Sequence, residues 1–260
     1  MSRRKDITEL VGKDTIIVIE EFGHIFALFL ESANGIFNKK IHFKNAYDQM
    51  VRIGIDSLSV ALVTALFVGM VFAIQIANEF IKFGAGGMVG GVMALAVSRE
   101  LAPVLTGVVI AGRVGASIAA ELGTMNVTQQ IDAIKSLGTT PVRYLVIPRL
   151  IAATIMLPVL TLFADIVGFI GAFIVAVYLA GINPYGYISA ADRFLSLGDI
   201  LGGLLKAAVF GIIISIIASY KGLNAQNGAK GVGEATTSAV VVSLITIFIA
   251  NYFMSIFLFK

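Results

Sequence analysis

From Ser57 to Asn78 the chain runs for 22 residues without a charged side chain. At about 1.5 Å of rise per residue, a helix of that length crosses a hydrocarbon core about 30 Å thick. Comparable runs recur downstream. Residues 89–120 are apolar apart from Arg99, Glu100 and Arg113, and residues 150–180 are broken only by Asp165. Residues 200–220 hold Lys206 near their start, and residues 235–259 carry no charge at all. The pattern predicts five membrane-crossing helices. Gly84, Gly86, Gly87, Gly90 and Gly91 predict a turn between the first two.

Ahead of these runs the periodicity is helical but mixed. Ile7, Leu10, Val11, Ile17, Val18, Phe22, Ile25 and Phe29 recur at three- and four-residue steps, with Glu20, Glu21 and His24 among them. This predicts an amphipathic helix lying in the membrane interface, or a shallow re-entrant elbow. Arg3, Arg4 and Lys5 resemble the start of a signal peptide, but Asp6, Glu9, Lys13 and Asp14 interrupt the apolar stretch that one needs. A polar segment with Asn38, Lys39, Lys40, His42 and Lys44 follows. The expected organisation is a single unit over 1–260, with residues 1–52 as an interfacial N-terminal elbow and 53–260 as the transmembrane bundle.

Composition narrows the class. Of the 260 residues, 58% are hydrophobic and 13% are charged, about half the share usual in soluble domains. Mean hydropathy is +0.93. So little polar surface cannot cover so much apolar side chain in water. The fold class is therefore all-α integral membrane protein. The 19 basic residues exceed the 16 acidic ones only slightly, and they flank the apolar runs rather than form a patch for nucleic acid. With the N-terminus on the cytoplasmic side, inside segments hold thirteen Lys and Arg, including Lys135, Arg143, Arg149, Lys221 and Lys230. Outside segments hold three: Lys82, Arg193 and Lys260. That bias sets the orientation. The absence of cysteine excludes disulfides and thiolate chemistry.

The stretch over 98–138 carries the most information. Small residues recur every fourth position, at Gly107, Ala111, Gly115, Ala119 and Gly123, with a second row at Gly112, Ala116 and Ala120. Such rows let helices approach closely, either inside one chain or across a homodimer seam. Arg99 and Glu100 lie about 100° apart on a helix and are poorly placed to pair with each other. Each needs another partner or a polar cavity. Pro103 cannot donate to the carbonyl of Arg99, which weakens or kinks the helix there. Beyond Gly123 the chain becomes amphipathic. Asn126 or Thr128 is positioned to cap a short helix bearing Gln129, Gln130, Asp132 and Lys135, with Met125, Val127, Ile131, Ile134 and Leu137 as its apolar face.

The run ELAPVLTGVVIAGRVGASIAAELGTMNVTQQIDAIKSLGTTPVRYLVIPR closely resembles the MlaE/YrbE permeases, the membrane subunits of MCE-type ABC lipid transporters. The plastid lipid-import permease of plants belongs to the same family. The resemblance spans essentially the whole chain. It implies a permease that makes and breaks no covalent bond and acts as a homodimer. ATP and Mg would be bound by a separate cytoplasmic ATPase, and the expected cargo is a phospholipid. An extracytoplasmic MCE-domain protein is the expected partner outside, and the family also admits a small accessory subunit on the ATPase and a soluble lipid carrier. By resemblance, Glu121, Gly123, Thr124, Met125, Gln129, Asp132, Leu137 and Gly138 form a cytoplasmic element coupled to the ATPase. Arg99, Glu100 and Leu101 would border the lipid cavity. Gln130 stands where many relatives are expected to carry Glu. The expected location is a bacterial inner membrane or, alternatively, a plastid inner envelope.

Other residues fit both a packing and a functional reading. Phe72, Ile76, Phe80 and Phe83 share one helical face beside Glu79, as a lipid-contacting stripe or as ordinary packing. Asp165 is a lone acid expected to pair with Arg113 or Lys206, or to line the dimer cavity. Residues 183–199 predict a short external helix. His24 and His42 read as unpaired interfacial histidines rather than a metal site. No P-loop is present: Gly12-Lys13 is followed by Asp14 and lacks the loop glycine. The competing readings are a permease for another lipid class such as sterol or fatty acid, a transporter driven by an ion gradient, and a non-transporting membrane scaffold. The segment 98–138 has no internal counterpart of the kind ion-driven transporters show.

Overall fold

The computed structural model describes residues 2–38 and 43–260, with side chains for Ile16 and for residues 19–36 and 43–260. His42, Lys39 and Lys40 lie outside the described residues, as do the side chains of Ile7, Leu10, Val11, Ile17 and Val18. Every described element is helical. Helix α1 spans Ser2–Asn38 and α2 spans Phe43–Lys82. A long rod, α3, covers Gly86–Val127. A short helix, α4, covers Gln130–Ser136, and α5 covers Val142–Tyr178. Pro184–Phe194 is α6, Leu197–Leu223 is α7 and Gly228–Leu258 is α8. Five of these, α2, α3, α5, α7 and α8, are long and apolar enough to cross a membrane, as the apolar runs predict. All five begin before those runs, because helix geometry continues into the polar flanks.

The spans alternate in direction between an end capped by α4 and an end capped by α6. Small residues set how closely they pack. A Cβ on Gly69 of α2 would collide with the backbone of Gly168 in α5, so only glycine allows this crossing. Gly107 and Gly115 face Phe210 and Ile214 of α7, at 3.1 and 3.2 Å from a notional Cβ. Ala111 and Ala119 are fully buried in the same row. The first row of small residues is therefore intramolecular packing, against α7 at Gly107 and Gly115 and against Ala225 and Val232 at Gly123. The second row faces outward: Gly112 is exposed, with nothing within 4 Å of a notional Cβ. Helix α8 buries only a narrow stripe, Gly231, Ala239, Ser243 and Ile247. The rest of it, including Val241, Phe248, Tyr252 and Phe253, is an open apolar face.

Helix α1 lies against the bundle through Ile25, Leu28, Phe29 and Ile36, which pack on Val146, Leu150 and Ile216. Its Ile19, Phe22, Phe26 and Leu30 point away and are exposed. An ion pair between Glu21 and Lys221 ties it to the end of α7. His24 stacks on Tyr220 with ring planes 11° apart. The predicted short helix over 183–199 is present as α6. It is capped by Asn183, whose side chain accepts from the Gly186 amide, and anchored by fully buried Tyr187. Burial raises the Tyr187 phenol above its usual pKa.

Candidate functional site

Two charged constellations interrupt the apolar bundle, one toward each end. The first is built on a π-helical turn, Val97–Leu101, in which the Ala102 amide donates to the carbonyl of Val97 five residues back. Turns of this kind are rare and often mark functional positions. Here the turn carries Arg99 and Glu100. They do not pair with each other, as their angular separation predicts. Arg99 donates through Nε to Asp199 Oδ1 at 2.8 Å, and its NH2 lies 2.7 Å from the same oxygen. Asp199 is fixed in turn by the capping box that starts α7: its Oδ2 accepts from the Ser196 amide at 2.9 Å and from the Ser196 hydroxyl at 2.8 Å.

Glu100 turns to Lys206, whose ammonium has three protons to give. All three are used: to Glu100 Oε1 at 2.8 Å, to Ser255 Oγ at 2.8 Å and to the backbone carbonyl of Arg99 at 2.9 Å. The last bond answers the gap left by Pro103, which has no amide proton to offer that carbonyl. Asn251, one turn before Ser255 on α8, donates to Glu100 Oε2 at 3.0 Å. The Phe259 ring lies 4.8 Å from the Arg99 guanidinium and 4.9 Å from the Lys206 ammonium, within cation–π range. Exposure divides the cluster. The Lys206 side chain is 0% exposed and that of Asp199 7%, whereas Glu100 is 41% and Arg99 34% exposed. The buried members hold the other two at the bundle surface between α3, α7 and α8.

The second constellation lies toward the α4 end. Glu121 reaches Arg149 of α5 at 2.9 Å and Arg52 of α2 at 3.8 Å, and so clamps three helices. Arg149 is buried and also donates to the Leu145 carbonyl at 2.7 Å. Arg113 donates to Ser57, the first residue of the charge-free run, at 2.7 Å. Arg52, Asp56, Arg113, Ser117 and Glu121 line a cavity of about 440 Å³ here.

Three expectations about local pairing are corrected. Asp165 pairs with neither Arg113 nor Lys206, which are bound to Ser57 and Glu100; both its carboxylate oxygens are buried without a hydrogen-bond partner. Neither Asn126 nor Thr128 caps α4. Asn126 donates across the bundle to the Ala225 carbonyl at 2.9 Å, and Thr128 ends the preceding helix by donating back to the Thr124 carbonyl at 2.7 Å. The residue that enters α4 is Gln129, at φ 59°. The glycine-rich turn is shorter than predicted, since Gly86, Gly87, Gly90 and Gly91 already belong to α3, the last two packing on α6.

The remaining predicted site residues separate into three groups. Gly123 packs on Ala225 and Val232, while Met125 and Ile134 pack on the core that contains Ile131. Thr124, Gln129, Asp132 and Leu137 are exposed at the tip, with Leu137 83% exposed and the Asp132 carboxylate 2.9 Å from the Lys135 ammonium. Gly138 closes α4 at φ 75°. Phe72, Ile76, Phe80 and Leu101 are half-buried against the core of Met93, Ala172 and Tyr187. Phe83 lies beyond the end of α2, 82% exposed, and Glu79 is held by Lys82 at 2.7 Å. Phe72, Ile76 and Phe80 of the stripe thus share one face against that core, and Phe83 and Glu79 stand apart from it. The sequence reading missed Asp199, Asn251, Ser255 and Phe259 as partners. Asn251 and Ser255, four apart in a charge-free span, are the signal that was there to find.

Residues 46–257 match the family model described as Permease MlaE. The chain belongs to the MlaE permease family. It is 50% identical over 225 residues to a probable ABC transporter permease protein of Synechocystis sp., covering 86% of each chain. It is 46% identical over 256 residues to a probable ABC transporter permease protein of Rickettsia typhi, covering 98% of each. Protein TRIGALACTOSYLDIACYLGLYCEROL 1, chloroplastic, of Arabidopsis thaliana is 47% identical over 225 residues, 86% of this chain and 64% of that protein. The chain is thus a multi-pass membrane protein of the ABC permease type, which sets aside the ion-gradient transporter.

Proposed function

We propose that the chain is the membrane subunit of an ATP-driven phospholipid transporter, and that two copies enclose the lipid path. One observation carries this reading. Arg99 and Glu100 are held by buried partners yet remain about one-third and two-fifths exposed on otherwise apolar helices. Charge in that position requires water, protein or a polar headgroup beside it. A second copy packed over the open faces of α3 and α8 supplies an enclosed cavity, and a charged headgroup suits its lining better than a sterol does. The name of the Arabidopsis relative, that of a galactose-bearing diacylglycerol, supports a glycerolipid cargo. Bacterial and chloroplast relatives support a bacterial inner membrane, or a plastid envelope as the alternative. The test is reconstitution with the ATPase and the MCE-domain protein in vesicles. ATP-dependent transfer of a fluorescent glycerophospholipid, above that of a sterol or fatty acid, is the expected result. Transfer that ignores ATP would overturn the reading.

The ATPase is proposed to dock on α4. Ile131 and Ile134 bind the helix to the core, which leaves Asp132 and Leu137 facing out with little to do for the fold. An apolar side chain 83% exposed beside charged neighbours is an interface anchor in waiting. Leu137→Asp is expected to lower ATPase co-purification about tenfold, as loss of an anchor worth about 1.4 kcal/mol would. The melting of the permease itself should not change. Normal ATPase recovery would remove α4 from the coupling role.

A further inference from the structure

Apart from the charged network, a cavity of about 350 Å³ opens between α3, α5, α6 and the start of α7. Its charged lining consists of Asp165 and Asp192, with Ser98 as a further polar group. Asp165 is only 8% exposed, and both its carboxylate oxygens are buried without a hydrogen-bond partner. Among the described residues, no basic side chain lines the space. The cations of the adjoining network are committed elsewhere, Arg99 to Asp199 and Lys206 to Glu100, and Arg193, exposed beside Asp192 on α6, is not part of the lining. The mouth is apolar and faces outward from the bundle: Leu162, Ile166 and Ile188 line it and are 41%, 51% and 49% exposed.

These features fit one kind of ligand. A buried carboxylate without a partner is costly, and a cation that donates to it recovers much of that cost. A volume near the lower end of ligand pockets, about 300–1,000 Å³, suits a headgroup rather than a whole two-chain lipid. The exposed leucine and isoleucines then leave the hydrocarbon outside, along the bundle surface. We propose that this cavity binds the ammonium head of a membrane amphiphile, with Asp165 receiving the charge and Asp192 guarding the mouth. The site is separate from the Arg99–Glu100 network and does not depend on the chain being a transporter.

The test uses the purified full chain in phosphatidylglycerol nanodiscs. These are doped with either phosphatidylethanolamine or phosphatidylglycerol bearing the same photoreactive acyl chain, and labelled peptides are mapped. Wild type is expected to label over 162–166 and 188–192 about tenfold more with the ethanolamine lipid, the ratio a charge-assisted hydrogen bond supports. Asp165→Asn, which keeps size and shape, should lower that labelling to the phosphatidylglycerol level. If Asp165→Asn melts early, exposed Asp192→Asn decides instead, and a clear fall in ethanolamine-lipid labelling is required of it. Dodecylamine should displace the label, and ethanolamine at the same concentration should not. Equal labelling by the two lipids, or labelling indifferent to the deciding variant, would overturn the proposal. Equal displacement by ethanolamine would assign the cavity to soluble amines and overturn the amphiphile.

Discussion

Glu100→Ala is expected to destabilise the permease, and adding Lys206→Met is expected to restore most of the loss. The single change leaves a fully buried ammonium with the Arg99 carbonyl and the Ser255 hydroxyl as acceptors and the Phe259 ring beside it, but no counter-charge. Stranding one member of a buried pair costs about 3–5 kcal/mol, and the half-exposure of Glu100 places this case near the lower figure. Lys206→Met removes the stranded charge with a side chain of similar length, so the double variant should melt close to wild type. On the proposed lipid path, transfer should not return with it, because a headgroup there would still meet no carboxylate between α3 and α8. Thermal melting of the three purified variants, with transfer assays on each, separates the two roles. A Glu100→Ala protein that melts like wild type would show that Lys206 does not depend on the pair. A double variant with wild-type transfer would remove the network from the lipid path.

The sequence displays the two ends of this network unequally. The angle between consecutive helical residues already separates Arg99 from Glu100, and Pro103 already marks the carbonyl that lacks a donor. What occupies those vacancies is set by packing over 100 residues of separation or more, Arg99 to Asp199 and Arg99 to Lys206. No local pattern encodes such a distance. The five spans were legible because hydrocarbon thickness imposes a minimum apolar length. Their true ends were not, since a helix goes on where the membrane stops. The entry to α4 was misread for a related reason. Asn126 and Thr128 have the right side chains for a cap, but α3 continues to Val127, and both side chains were already committed to carbonyls at Ala225 and Thr124. Asp165 shows the opposite limit. Charge alone suggested a partner in Arg113 or Lys206, and both cations have nearer ones.

Gly203→Val is expected to have an effect of similar size through geometry alone. Gly203 lies one turn ahead of Lys206 on α7, where a Cβ would collide with the backbone oxygen of Ser98 and sit 3.3 Å from Pro103 Cγ. A backbone atom inside a helix has no rotamer with which to retreat, so the two helices must separate. Overpacking typically costs about 1–3 kcal/mol. Here the separation also draws the Lys206 ammonium away from the Arg99 carbonyl and Glu100, which places the expected loss at or above the upper figure. Gly233→Ala in α8 is the matched control, because nothing lies within 4 Å of its notional Cβ. Exchanging a helical glycine for alanine in open space is neutral or stabilising by up to about 1 kcal/mol. The measurement is melting of both variants beside wild type in one detergent. A Gly203→Val protein that melts with wild type would mean that α7 does not approach the π-helical turn closely enough for Lys206 to serve the carbonyl Pro103 leaves open.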